Sequence, residues 1–140
     1  MTHEGQSTRP EDNSAVVALV RDEYGRVLLA SSSSSGPWSC IGGGLADDED
    51  PVNGAARFAM EDCGIEIEVG EVVATLSGDP FRVLYECGAD VIYQATVVSA
   101  TVVGSPRPSA MFTRWFTTHE LETTYLDDFA VAALNELALR

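Results

Sequence analysis

The stretch Gly42-Gly43-Gly44-Leu45-Ala46-Asp47-Asp48-Glu49-Asp50-Pro51-Val52-Asn53-Gly54-Ala55-Ala56-Arg57-Phe58-Ala59-Met60-Glu61-Asp62-Cys63-Gly64-Ile65 reads as a loop, a helix and a stop. Three glycines let the backbone of the loop take positive φ. Four acids follow, Asp47, Asp48, Glu49 and Asp50. Asp50 is a natural N-cap, and Pro51 suits the first helical turn, where its missing N–H costs nothing. The helix is expected to run to about Cys63 and to end at Gly64. Arg57 and Glu61 share one face, as do Phe58, Glu61 and Asp62, at spacings of three and four.

Two adjacent carboxylates on a short helix suit a hard cation such as Mg²⁺, which takes oxygen ligands and keeps substrate phosphates in its shell. A backbone carbonyl of the glycine loop, Gly42 foremost, adds another oxygen. Such a metal neutralises charge on a diphosphate and helps make a nucleophilic water. Taken one at a time, these features also describe a glycine-rich turn before an ordinary amphipathic helix with a solvated charge run.

In register, the same residues resemble the box of the Nudix hydrolases, G-x5-E-x7-R-E-U-x-E-E-x-G-U, with U a bulky aliphatic. Gly43, Glu49, Arg57, Glu61, Gly64 and Ile65 fall on the pattern, and the lead-in Trp38-Ser39-Cys40-Ile41-Gly42-Gly43-Gly44 is similar to the usual W-x-L-P-G-G-G. Asp62 stands for the last Glu and keeps the carboxylate. Ala59 is small for the first U. Phe58 stands where the family has a Glu that binds metal or activates water, and phenylalanine does neither. The loop before the Trp115-Phe116 pair, which supplies the base in some members, has no Asp or Glu between 104 and 112.

The resemblance implies an α/β/α sandwich of the Nudix type with a mixed sheet, covering residues 14–140. It implies a slow or atypical Mg²⁺-dependent (or Mn²⁺-dependent) hydrolase of a nucleoside diphosphate linked to another group. Glu61, Asp62 and the Gly42 carbonyl are the expected metal ligands, with Glu61, Asp62 and Glu49 as the catalytic candidates. Asp47 and Asp48 are equal to Glu49 as substitute bases on spacing alone, and Glu49 also suits an ion pair with Arg57. Gly43, Arg57 and Gly64 are expected to be structural, and Trp38 and Phe58 to flank a nucleotide. The alternatives are a binding module that has lost turnover and an interaction protein that forms a homodimer.

Composition narrows the partners. The chain of 140 residues suits one domain, and its net charge of −14 disfavours nucleic-acid polymers and anionic membranes, though not a small phosphorylated ligand carried by a metal. No apolar run approaches the ~20 residues that span a bilayer, and no apolar signal core opens the chain. Cys40, Cys63 and Cys87 have no metal-like or redox spacing, which points to reduced thiols and a cytoplasmic setting. His3 and His119 are the only imidazoles, too few for a histidine-based zinc site.

Outside the box, residues 1–13 are polar and aperiodic and are expected to form a disordered tail. Residues 15–20 read as a buried strand, and 26–30 as its hairpin partner across the turn at Asp22-Glu23-Tyr24-Gly25. Residues 31–35 form a serine loop. Strands are expected over 65–76, 81–86, 91–103 and 112–116, the second and third joined in a hairpin. Arg82, Tyr85, Tyr93 and Arg114 are open between ligand contact and ordinary sheet surface. Thr117 to Leu121 suit a helical turn, and Leu126, Phe129, Ala130, Ala133, Leu134 and Leu137 recur at helical spacing.

Overall fold

The structure, a computed structural model, describes residues 11–140. Seven strands and three helices follow one another as β1 (Glu11–Val20), β2 (Val27–Ser31), β3 (Ile41–Gly44), α1 (Pro51–Cys63), β4 (Glu66–Leu76), β5 (Arg82–Leu84), β6 (Asp90–Val103), β7 (Phe112–Phe116), α2 (Thr118–Leu121) and α3 (Asp128–Glu136). The main sheet runs β3-β1-β6-β4, with β5 also on β6, and β2 pairs β7 in a second sheet. β1 lies parallel to β6 and antiparallel to β3, so the sheet is mixed.

The unbroken apolar run of β1 follows from helices on both faces. Val16, Ala18 and Val20 point into one core with Ala55, Ala59 and Cys63 of α1. Ala15, Val17 and Leu19 point into the other with Ala130, Ala133 and Leu134 of α3. Strand alternation thus sends one segment into two cores and makes the α/β/α layering. Among the described residues, no helix is long and apolar enough to cross a membrane.

Two expectations are corrected. Of the tail over 1–13, residues 1–10 lie outside the described residues, whereas Glu11, Asp12 and Asn13 belong to β1 and pair Val91, Ile92 and Tyr93. Their side chains carry no strand signal, but the long partner β6 offers a ladder that needs only their backbone. The turn at Asp22 forms, with the Gly25 N–H on the Asp22 carbonyl at 3.1 Å and Gly25 at φ 79°. Its arms do not stay paired. A single bridge joins Arg21 to Val27, and β2 then leaves for β7. β2 is buried along its whole length, so it is satisfied by packing in both cores and needs no partnership with β1. β4 covers the expected strand, which passes into a second run near Val72. Register shifts between Val69 and Val72 and between Val72 and Ala74 break its alternation, the mark of bulges beside Gly70.

Candidate functional site

The helix of the opening stretch is capped at both ends. Asp50 accepts the Asn53 N–H at 3.3 Å, a bond worth about 1 kcal/mol, and Pro51 opens the first turn. Gly64 ends the helix at φ 66° with its N–H on the Met60 carbonyl at 3.0 Å. A side chain there would meet the Arg107 carbonyl, and the Gly64 carbonyl accepts the Arg107 N–H at 2.7 Å. The loop over 104–109 is therefore docked on the C-terminal end of α1.

Arg57 ties the loop to the helix. Its Nε and Nη2 donate to the two Glu49 oxygens at 2.6 and 2.8 Å, and Nη1 donates to Glu61 Oε1 at 3.2 Å. Glu49 also accepts the Ala46 N–H at 3.2 Å. The guanidinium holds the Glu49 carboxyl down at about 2. A carboxylate so well satisfied is a weak proton acceptor. Glu49 is thereby corrected from candidate base to brace, and Arg57 stands where a structural residue is expected.

Phe58 turns toward the glycine strand. A Cβ on Gly43 would lie 2.7 Å from its ring Cζ, and the Arg57 guanidinium sits 4.2 Å from its ring centroid. The ring thus lies between helix and glycine strand, in contact with the core under α1. Glu61 and Asp62 stay exposed, Glu61 at 58% for its side chain. Among the described residues, no three His, Cys, Asp or Glu side chains come together as a metal cage. Two exposed carboxylates and no third suit Mg²⁺, which keeps several waters and completes its shell with substrate phosphates.

Trp38 is corrected as a ligand wall. It is 5% exposed and stacks edge-on against Phe116, 5.3 Å between centroids. Its backbone carries the useful contact. Trp38 N–H donates to the Tyr125 carbonyl at 2.8 Å, and the Asp127 N–H donates to the Trp38 carbonyl at 3.0 Å. The glycine lead-in is thereby joined to the start of α3. Phe58 is no wall either, since the cleft lies on the other side of the glycine strand.

That cleft, about 310 Å³, runs over Gly43 between Cys40, Tyr85, Tyr93, Asp127 and Phe129. The Tyr85 and Tyr93 hydroxyls are bonded at 2.5 Å. Asp127 caps α3 by accepting the Ala130 N–H on Oδ1 at 2.8 Å. Burial pushes its carboxyl up, and burial with the Asp127 charge pushes the Cys40 thiol up to about 12, which leaves it protonated. Beyond Tyr93 a wider groove of about 690 Å³ reaches Asp12, Asp47 and Glu49. Arg82 and Arg114 line neither space. Arg82 is paired with Asp90 at 2.6 Å, and Arg114 leans on Phe116 and Glu120.

Sequence reasoning reached the box side of this site and missed much of the cleft. Asp127 reads as a helix-end charge, and Phe129 as a core position of α3. The only hint was that both fall at the start of a helix, where side chains border loops.

Comparison with known proteins agrees with this fold and box. Residues 11–136 match the family model for the NUDIX domain, and the chain belongs to the Nudix hydrolase family. A MutT-like protein of Streptomyces ambofaciens is 27% identical over 141 residues, spanning 98% of this chain and 85% of that protein. Among solved structures, an ADP-ribose pyrophosphatase from Streptococcus suis superposes with a TM-score of 0.68 at 20% identity, over 91% of this chain and 87% of its own. A UDP-X diphosphatase superposes with a TM-score of 0.73 at 15% identity, over 97% of this chain but 64% of its own. At such identity these two establish the shared fold.

Proposed function

We propose that this chain hydrolyses, slowly, the diphosphate of a nucleoside diphosphate linked to another group, with Mg²⁺ or Mn²⁺. The observation that carries the reading is the braced glycine loop at the floor of an aromatic cleft, with Glu61 and Asp62 exposed on the adjoining helix. Among the described residues no basic side chain lines the cleft, so the charged part of a substrate belongs toward the helix, where Glu61 and Asp62 would hold the metal. When bound, the metal neutralises phosphate charge and lowers the pKa of a water. Arg57 and Glu49 keep the loop and helix in place. Tyr85, Tyr93 and Phe129 offer apolar surface to a ring and exclude water from it. The names of the two structural relatives, ADP-ribose pyrophosphatase and UDP-X diphosphatase, support a substrate of this class. Release of nucleoside monophosphate from a panel of such compounds, with and without Mg²⁺ or Mn²⁺, tests the reading. Metal-independent or absent release across the panel rejects it.

One observation favours a second reading, a nucleotide-binding module without turnover. Phe58 lies on Gly43 at the position of the missing carboxylate, and no acid in the docked loop replaces it. Ligand-induced thermal shifts without product would decide for it.

A further inference from the structure

All eight cationic side chains of this acidic chain are arginines. Arg26, Arg57, Arg82 and Arg114 each face a carboxylate, and Arg140 donates to the Leu121 and Glu122 carbonyls. Among the described residues, Arg21 and Arg107 have no such side-chain partner. Arg21 lies beyond the end of β1, in a groove with Leu19 and Leu137 on the α3 side of the sheet. Arg107 lies at the C-terminal end of α1, and its backbone is firmly placed there. Its N–H donates to the Gly64 carbonyl at 2.7 Å, and its own carbonyl packs on Gly64 where a Cβ would not fit. Pro106 and Pro108 on either side narrow the conformations open to the segment. A fixed backbone thus carries an exposed guanidinium that no carboxylate holds, in a chain with 22 acids.

We propose that Arg107 receives a phosphate of the bound diphosphate. Glu61 and Asp62 precede Gly64 by three and two residues, within one helical turn of about 5.4 Å. An arginine side chain anchored at Gly64 spans that distance. The end of α1 therefore offers both signs of charge, two exposed carboxylates and one uncommitted guanidinium. A diphosphate with its cation carries both signs too. The cation suits the carboxylates, and the outer phosphate oxygens suit the planar fork of an arginine, which binds them in pairs. Arg57, the other arginine of α1, spends its donors on Glu49 and Glu61. No basic side chain of the described residues lines the cleft, so Arg107 is the cation left to meet the phosphate. A guanidinium is no base. Its part is to hold the phosphate and to stabilise negative charge that gathers on the departing phosphate as the P–O bond breaks. The inference deepens the proposed function and rests on it in placing the diphosphate at α1.

The test uses methylenediphosphonate, which cannot be hydrolysed, so that binding is read apart from turnover. It is titrated with Mg²⁺ into the full native chain, Arg107→Ala and Arg21→Ala, and followed by phosphorus NMR. Arg107→Ala keeps the backbone bond to Gly64, and its thermal melting should match that of the native chain. Its affinity for the diphosphonate should fall about tenfold or more, the loss of a charged hydrogen bond. Arg21→Ala removes the same charge from the other side of the sheet and should bind like the native chain. Unchanged affinity in Arg107→Ala, an equal loss in the two variants, or no binding by the native chain overturns the inference. An equal loss would mean that net charge alone is at work. Hydrolysis of a nucleoside diphosphate compound at the native rate and KM by Arg107→Ala would also overturn it, while leaving the hydrolase reading intact. Binding that depends on Arg107, with no release from any diphosphate, would instead reject the hydrolase reading and leave this one standing.

Discussion

Phe58 is the residue on which the proposed activity turns. On α1 it shares a face with Glu61 and Asp62, so Phe58→Glu places a third carboxylate beside the two already there. Expected results are tighter Mg²⁺ binding by calorimetry and a rise in diphosphate hydrolysis toward ~10²-fold, the low end for a positioned base. Stability should fall by about 1–2 kcal/mol, as the ring loses its packing on Gly43 and its cation–π contact with Arg57. A folded variant with no gain in affinity or turnover would show that the site has been rebuilt for another purpose. Glu49 gives a pH test. Its folded pKa of about 2 lies below the ordinary 4.5. A depressed carboxyl stabilises the fold fully above its unfolded pKa and loses that contribution as pH falls through the folded value. Urea unfolding of the native chain and Glu49→Gln should therefore differ at pH 7 and converge as pH drops from about 4.5 toward 2. A gap that persists unchanged at the acid end would contradict the ion-pair brace. Arg57→Ala should lower the melting temperature at neutral pH and should not be rescued by added Mg²⁺.

At the scale of elements, the loop, the helix and its end were legible because their signals are local. Caps, turn glycines and i,i+4 pairs act within a few residues, and Asp50, Pro51, Arg57 and Gly64 all do in space what their spacing implies. Register along the box carried the rest. What the sequence concealed is long-range. Nothing near residues 15–31 says that two adjacent apolar strands will enter different sheets, because the choice is made by β6 and β7 far along the chain. The cleft is concealed for the same reason. Cys40, Tyr85 and Asp127 are distant in sequence and meet only after β3, the hairpin of β5 and β6, and α3 have packed. Trp38 looked like a wall because aromatics border ligands, yet its ring is worth more in the core. Gly64 offers the test at this scale. Gly64→Ala must hold a left-handed residue, at about 1–2 kcal/mol, and push its methyl against the Arg107 carbonyl. The expected outcome is a loss of about 2 kcal/mol or more in urea unfolding, with faster amide exchange over 104–109. Unaltered stability and protection would mean that the loop is not anchored there.

Across the whole molecule, charge and site design point to metal and ligand acting together. A chain of net charge −14 repels a free diphosphate, and among the described residues no basic group lines the cleft to receive one. On the proposed reading, Glu61 and Asp62, which among the described residues form no three-acid cluster, would give Mg²⁺ a shallow hold that substrate phosphates complete. Metal and diphosphate should each bind poorly alone and each strengthen the other by the same factor, since linkage is reciprocal. The prediction is that the rise in melting temperature with Mg²⁺ and a nucleoside diphosphate sugar together exceeds the sum of the separate rises. In the Glu61→Ala, Asp62→Ala double variant this excess should vanish, while any shift produced by nucleoside alone remains, because the proposed function puts that part of the ligand in the cleft and not on α1. An equal shift from Mg²⁺ alone in native chain and double variant would place the metal elsewhere. Additive shifts in the native chain would mean that the phosphates do not reach α1, and the hydrolytic reading would fall with them.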